Sequence, residues 1–198
     1  MQDGPCGGRK GKESQKASNV KAAKLYSTGA WWQAAYGQEA NGLTPTDLKA
    51  ARHDCAIATG IWHNFMCKTT VIELVMPGKD PADLAPLAKL KEWLLLWKSL
   101  DQEQRDKFSE VWDSQLMRMK DPTTRWSRAV LPIQTTIVCL YDLGWMPSHP
   151  DEWFQPTRGG RDVKLWKYKA DSRQGPCRFL ATVRKDIAHR LWDGVVYI

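Results

Sequence analysis

The sequence lacks both a long apolar run and a closely spaced pair of cysteines. Its continuous apolar runs reach only five residues, as in Trp93–Trp97, whereas a membrane-spanning helix needs about 20. Five cysteines are scattered along the chain without a CxxC pair: Cys6, Cys55, Cys67, Cys139 and Cys177. An odd number at irregular spacing does not indicate a disulfide framework. We therefore expect reduced thiols, no contact with a membrane, and a nuclear or cytoplasmic location.

Catalytic and nucleotide-binding signatures are missing as well. The sequence contains no GxSxG, no Walker loop and no GxGxxG. Its four histidines lie far apart, without a recognisable nucleophile motif. Two acidic pairs, Asp80 with Asp83 and Asp151 with Glu152, are better explained as helix-start and turn residues than as an acid–base pair. The residues give little support to an enzymatic activity of the chain's own, and no cofactor is expected.

Histidine and cysteine come close together in one segment only, where His53, Cys55, His63 and Cys67 offer four possible zinc ligands. Their spacing, HxC followed by HxxxC, matches no standard zinc finger. Cys55 also falls on a stripe of small apolar residues that we expect to be buried. We therefore predict no metal site.

Charge is abundant but unevenly distributed. The formal net charge is +7. Residues 1–24 contain six basic and two acidic residues, and residues 156–190 contain ten basic and three acidic residues, whereas residues 25–155 have a net charge of −3. Basic groups concentrated at the two ends indicate contact with a polyanion, usually nucleic acid. The alternative is a solvated surface without a partner.

Length and composition fit a single domain with a tail. The 198 residues are 42% hydrophobic and include eleven tryptophans, enough for a substantial core. We predict a mainly α fold: a flexible, disordered basic tail with a short aromatic segment over residues 1–43, then one helical domain over 44–198. This domain should contain about six helices, a small β-hairpin at residues 152–168, and a final helix.

Helix-start signals place these helices. Thr44–Pro45 and Asp80–Pro81 each put a capping residue before a proline at the first helical position. Asp101 and Gln104 are spaced for a capping box, and Pro132 starts a further helix. The β-branched run within residues 61–76 is predicted to be a buried helix, and the last helix should run from about 176 to 192.

The C-terminal hairpin and helix are the best candidates for a binding site. Basic residues alternate with aromatic ones around a Gly159–Gly160 turn, and further cations follow on the final helix: Arg158, Arg161, Lys164, Trp166, Lys167, Tyr168, Lys169, Arg178, Arg184 and Lys185. Cations can neutralise phosphates while rings stack on unpaired bases. The alternative is an ordinary two-stranded sheet whose aromatic side chains cover the final helix and whose basic side chains are solvated.

A series of spaced landmarks over residues 44–198 resembles one known group of sequences. They are Ala50-Ala51-Arg52, Ala58-Thr59-Gly60, Cys67, Thr69-Thr70, Asp80-Pro81, Trp93, Trp97, Trp112, Leu143-Gly144-Trp145, Trp153, Trp166 and Leu191-Trp192. In this order they are similar to the region downstream of the reverse-transcriptase module in dinoflagellate non-LTR retrotransposon polyproteins. The resemblance implies a polyprotein associated with RNA-directed DNA synthesis. It transfers no catalytic residue, because Tyr141-Asp142-Leu143-Gly144 is not the Tyr-x-Asp-Asp turn that such polymerases carry.

These observations together predict a non-catalytic, nucleic-acid-binding accessory domain of retrotransposon origin, with RNA or single-stranded DNA as its partner. The alternative is a protein-interaction or scaffold domain that uses exposed tryptophans as anchors in pockets of a partner protein.

Overall fold

Helices make up most of the chain, and a small three-stranded antiparallel sheet lies near its C-terminal end. The structure, a computed structural model, describes residues 21–156, 163–171, 173 and 175–195, with side chains for all of these except 39 and 188–195. The helices are α1 (Trp31–Ala34), α2 (Gln38–Asn41), α3 (Pro45–Ala58), α4 (Lys68–Val75), α5 (Pro81–Ser99), α6 (Gln102–Arg118), α7 (Arg125–Arg128), α8 (Pro132–Asp142) and α9 (Pro176–Val195). The strands are β1 (Met146–His149), β2 (Glu152–Pro156) and β3 (Val163–Lys167).

The six longer helices match the six that the sequence predicts, and α1, α2 and α7 are additional helices of four residues each. The helix predicted for the β-branched run Thr69–Met76 is confirmed as α4, which begins at Lys68. Before it, the backbone reverses through Gly60 at φ 69° and Phe65 at φ 79°, and a left-handed residue cannot continue a right-handed helix. Within the described residues, none of the helices has the length and apolar character that crossing a bilayer requires.

The N-terminal portion contains more regular structure than the predicted tail implies. Residues 1–20 lie outside the described residues. Residues 21–25 are helical and continue into a π-helical turn, Tyr26–Ala30, and then α1. In the aromatic segment, Trp31 is buried at 2% exposure, whereas Trp32 is 51% exposed.

The described residues group into two compact units. The N-terminal unit contains residues 21–35 and 46–81, and the C-terminal unit contains residues 36–45 and the chain from 82 onward. The core of the N-terminal unit is small: Ala23, Cys55, Ala56, Ile72 and Met76. The core of the C-terminal unit is larger. It consists mainly of aliphatic and tryptophan side chains from α5, α6, α8, α9 and the sheet.

A buried ion pair ties the N-terminal unit together. The guanidinium of Arg52, on α3, binds both carboxylate oxygens of Asp80, with Nε 2.9 Å from Oδ1 and Nη2 2.9 Å from Oδ2. Nη2 also donates to Thr69 Oγ1 on α4, at 2.6 Å. The Asp80 side chain is only 1% exposed. One arginine therefore joins α3, α4 and the residue that precedes α5.

Two indole N–H groups anchor the sheet of the C-terminal unit. Trp93 Nε1, on α5, donates to the carbonyl oxygen of Pro150 at 2.8 Å, and Trp112 Nε1, on α6, donates to that of Pro147 at 3.0 Å. Both indoles are buried, and their rings pack 5.2 Å apart. Because Pro147 lies in β1 and Pro150 follows it, the two bonds fix this strand against the helices at both ends.

The sheet has one strand more than the predicted hairpin. β2 pairs antiparallel with β3, with Trp153 opposite Trp166, in agreement with the predicted pairing. β1, which lies before the predicted hairpin, is the additional outer strand and pairs through Met146 opposite Phe154 and His149 opposite Glu152. The predicted Gly159–Gly160 turn lies outside the described residues.

Residues 36–45 pack within the C-terminal unit through a buried lysine. Lys89 Nζ, on α5, donates to Ala40 O at 2.7 Å, and Thr135 Oγ1, on α8, donates to the same oxygen at 3.1 Å. Burial lowers the pKa of Lys89 from 10.5 to about 8. Gly42 also packs closely here: at its φ of 71°, an added Cβ would lie 3.0 Å from Trp126.

We predict that Arg52→Ala destabilises the protein. The substitution leaves the Asp80 carboxylate buried without its guanidinium, and breaking such pairs typically lowers the free energy of unfolding by about 3 kcal/mol. Urea unfolding followed by circular dichroism measures the loss. Lys49→Ala, an exposed position on the same helix, is the control and should change stability by less than about 0.5 kcal/mol. Equal stability of the two variants would contradict the structural role of the pair.

We predict that Lys89→Met stabilises the protein near neutral pH, because burying the charged amine is unfavourable and Thr135 still donates to Ala40 O. The folded pKa of about 8 lies below the value of 10.5 for the free side chain, so the unfolded chain binds the additional proton. The free-energy cost of burying the charged amine applies in full below about pH 8 and disappears as the pH rises toward 10.5.

The stability difference between Lys89→Met and the parent chain should therefore shrink between about pH 7 and pH 10. Denaturant unfolding at both pH values measures it. A difference that does not change with pH would show that folding does not lower the pKa of Lys89.

Candidate nucleic-acid interface

Trp166 in β3 and Tyr168, the residue after β3, pack against or within the core and do not form a surface for bases. Tyr168 is only 1% exposed, and burial raises its pKa. The Trp166 ring is half-buried, stacks on Trp145 at 6.2 Å, and meets Phe179 edge-on at 6.3 Å. Its indole N–H donates to Gln155 Oε1 at 2.8 Å. Both rings hold the sheet against α9, so neither presents a free face on which a base could stack.

Three of the predicted cations face carboxylates. Lys164 Nζ lies 3.0 Å from Asp186 Oδ2 and 3.9 Å from the centre of the Trp166 ring. Lys167 pairs with Glu152, and this hydrogen bond raises the pKa of the lysine. Arg184 Nε lies 3.2 Å from Asp83 Oδ2, whose side chain is 4% exposed.

The other described cations of the prediction are exposed, as are the three that face carboxylates. Lys169, Arg178 and Lys185 are exposed. Arg178 and Lys185 are seven residues apart on α9, which places them on one face of the helix. Ala181 and Thr182 lie between them on this face and are exposed as well. Arg158 and Arg161 lie outside the described residues. Among the described residues, Arg178 and Lys185 therefore share the exposed face of α9.

The packing of α9 explains why this face points outward. Phe179, Leu180, Val183 and Ile187 are buried, and their helical spacing directs them to the sheet and α5. Phe179 contacts three aromatic rings of the sheet: Trp153 at 6.0 Å, Trp166 at 6.3 Å and Tyr168 at 5.4 Å. Because this side of α9 packs against these aromatic rings, Arg178 and Lys185, on the other side, face solvent.

Three of the four possible zinc ligands have other surroundings in the fold. Cys55 is buried, and desolvation raises its pKa to about 12. The His53 ring packs edge-on against Trp62 at 4.8 Å, and His63 Nδ1 lies 2.9 Å from its neighbour's carbonyl, Asn64 O. Among the described residues, no group of three or more His, Cys, Asp or Glu side chains is placed to hold a metal ion.

Sequence reasoning missed one polar cluster altogether. Ser109 on α6, His149 at the end of β1 and Asp151 in the following turn are joined by hydrogen bonds in the C-terminal unit. The serine and the histidine are forty residues apart. Only the docking of β1 on α6 brings them together, so no local spacing in the sequence could have indicated the cluster.

No known protein family matches the sequence, and no curated protein or solved structure matches it significantly.

Proposed function

We propose that this chain is an accessory nucleic-acid-binding domain that holds the phosphates of RNA or single-stranded DNA on the exposed face of α9. The observation that best supports the proposal is the pair of exposed cations on this face, Arg178 and Lys185. Two helical turns place them about 10 Å apart along the axis. The side chains between them, Ala181 and Thr182, are small, so a nucleic-acid backbone can approach the helix closely.

The surrounding charge favours the same ligand. Residues 156–190 contain ten basic and three acidic residues. Lys164 and Arg184 are balanced by carboxylates within the fold, but Lys169, Arg178 and Lys185 are exposed and add positive potential on the surface. Positive surface potential attracts phosphates and raises the rate of association.

In the proposed mode of binding, cationic side chains contact only the phosphates of the nucleic acid. Phosphate contacts position a protein on nucleic acid but carry no sequence information. Because the rings of Trp166 and Tyr168 are committed to the core, base stacking does not add to affinity. Binding should therefore be independent of sequence and strongly weakened by salt.

The proposal includes the origin and the location of the chain. The landmarks from Ala50 to Trp192 support an origin in a retrotransposon polyprotein, downstream of its reverse transcriptase. A nuclear or cytoplasmic location agrees with this origin, because template RNA and target DNA are found there.

The alternative, a scaffold that docks through exposed tryptophans, receives less support. Of the ten tryptophan side chains that the structure describes, only Trp32 is exposed. The others are buried or half-buried in the cores and against the sheet.

We predict that the double substitution Arg178→Glu with Lys185→Glu weakens binding of a short fluorescent RNA by about tenfold at roughly 50 mM salt. The slope of log affinity against log salt should also become shallower by about 1.4, as expected when two phosphate contacts to a single strand are lost. Fluorescence anisotropy over a salt titration measures both quantities.

The control is Lys91→Glu with Lys120→Glu, which changes two exposed cations away from α9 and lowers the net charge equally. It should retain most of the affinity. If both double variants lose affinity equally, net charge and not the α9 face is responsible. If the parent chain does not bind RNA or single-stranded DNA at low salt, the proposed function is wrong.

The proposed origin predicts the genomic surroundings of the coding sequence. A reading frame for a reverse transcriptase should lie directly upstream, in frame or separated by a short interval. Long-read sequencing of several genomic copies tests this. Copies that consistently lack a reverse-transcriptase frame would refute the retrotransposon origin without affecting the binding prediction.

A further inference from the structure

A pocket of about 640 Å³ opens on the C-terminal unit, between α6, the end of β1 and the segment that follows β3. Its wall includes Trp97, Arg105, Ser109, His149, Asp151 and Lys169. The proposed nucleic-acid-binding face does not use Ser109, His149 or Asp151. These are the three residue types of a serine nucleophile, its base and the carboxylate that orients the base.

The three side chains are joined in that order. Asp151 Oδ1 lies 2.5 Å from His149 Nδ1, and Ser109 Oγ lies 3.1 Å from His149 Nε2. The imidazole therefore has the carboxylate at one ring nitrogen and the hydroxyl at the other. The His149 side chain is 40% exposed, whereas that of Asp151 is 16% exposed. Solvent and a small molecule can reach the imidazole, while the carboxylate behind it is largely shielded.

The surrounding structure holds these groups in place. Pro147 and Pro150 flank His149 closely, and their carbonyl oxygens accept the buried indole N–H groups of Trp112 and Trp93. The Trp97 ring packs edge-on against the imidazole at 5.8 Å. The carbonyl oxygen of Asp151 accepts a bond from the Tyr168 N–H at 2.8 Å. The segment that carries His149 and Asp151 is thus held by hydrogen bonds from Trp93, Trp112 and the Tyr168 N–H.

The proton of the Ser109 hydroxyl has two possible acceptors. Oγ lies 2.8 Å from Arg105 O, one turn earlier on α6, as well as 3.1 Å from His149 Nε2. A hydroxyl has one proton and can donate to one of them at a time. Rotation about the Cβ–Oγ bond moves the proton from the carbonyl to the neutral imidazole, whose Nδ1–H then donates to Asp151. This is the arrangement in which the serine can act as a nucleophile.

We propose that Ser109, His149 and Asp151 form an acyl-transfer site for small neutral carboxylic esters. Ser109 Oγ attacks the ester carbonyl carbon, and its proton passes to His149 Nε2. The tetrahedral species collapses, the bond to the alcohol oxygen breaks, and the alcohol leaves with the proton from His149. Water then attacks the acyl-serine by the same route and releases the carboxylic acid. No electrons are exchanged with an outside oxidant or reductant.

The pocket wall supplies charge for the developing oxyanion. Arg105 lies one helical turn before Ser109, and Lys169 is exposed on the same wall. Arg105 is held by Asp171, with Nη1 3.0 Å from Oδ1, and by Trp97 O, at 3.3 Å from Nε. Three carboxylates, Asp106, Asp151 and Asp171, balance the three lining cations, Arg105, Lys167 and Lys169, so the pocket has no surplus charge to attract an ionic substrate. Neutral esters are therefore the substrate class that the pocket favours.

The test uses diisopropyl fluorophosphate on the full chain, followed by proteolysis and mass spectrometry. The expected result is one adduct, on Ser109, formed with loss of fluoride. Ser109→Ala should remove the adduct, and His149→Gln should slow its formation by roughly a hundredfold, the usual contribution of a general base. Ser114→Ala is the matched control, because Ser114 lies on the same helix and its hydroxyl also donates to a backbone carbonyl.

Asp151 is a positioning residue, since it acts through His149. Asp151→Asn should slow labelling with an unchanged thermal unfolding midpoint, and Asp151→Glu should restore part of the rate. Hydrolysis of p-nitrophenyl acetate should follow the same order of variants. The proposal is overturned if the folded parent chain forms no adduct at Ser109, or if Ser114 is labelled as fast as Ser109. Binding of RNA is unaffected by either result, so this inference and the proposed function fail separately.

Discussion

Two buried hydrogen bonds, from the indoles of Trp93 and Trp112 to the carbonyls of Pro150 and Pro147, determine where the sheet sits in the C-terminal unit. The N–H of a buried tryptophan usually finds an acceptor, and the carbonyls of Pro150 and Pro147 accept from these two indoles. The two bonds therefore satisfy both indole N–H groups and fix β1 and the turn that follows it. They also hold the segment that carries His149 next to α6, where its ring contacts Ser109 at the wall of the pocket.

The cations of the basic C-terminal region fall into two groups, those that face a carboxylate and those on the exposed face of α9. Lys164, Lys167 and Arg184 are matched with carboxylates, whereas Arg178 and Lys185 are exposed. Alternation along β3 places Lys164, Trp166 and Tyr168 on one side of the sheet. In the folded chain this side faces α9, and the cation at its edge lies over the Trp166 ring. Part of the charge surplus of the sequence is therefore matched by carboxylates within the fold.

Local signals in the sequence predicted the helices well. The capping box of α6 is present, with Asp101 accepting from Gln104 N at 2.8 Å and Gln104 Oε1 accepting from Asp101 N at 3.1 Å. Such bonds join residues three apart, so their spacing is visible in the chain. The third strand and the Ser109–His149 contact depend instead on how distant elements dock. Period-two alternation also could not tell which face of β3 would be covered, since aromatic side chains suit both a core and a base-stacking surface.

The C-terminal unit is discontinuous in sequence, and this sets an order of events during synthesis. Ala40 lies in the early segment 36–45, yet the threonine that donates to its carbonyl, Thr135, is 95 residues further on. At ribosomal speeds of about 5 to 20 residues per second, that partner emerges roughly 5 to 20 seconds later. Lys89, which donates to the same oxygen, emerges 49 residues after Ala40, but the early segment can complete its contacts only after α8 has been synthesised.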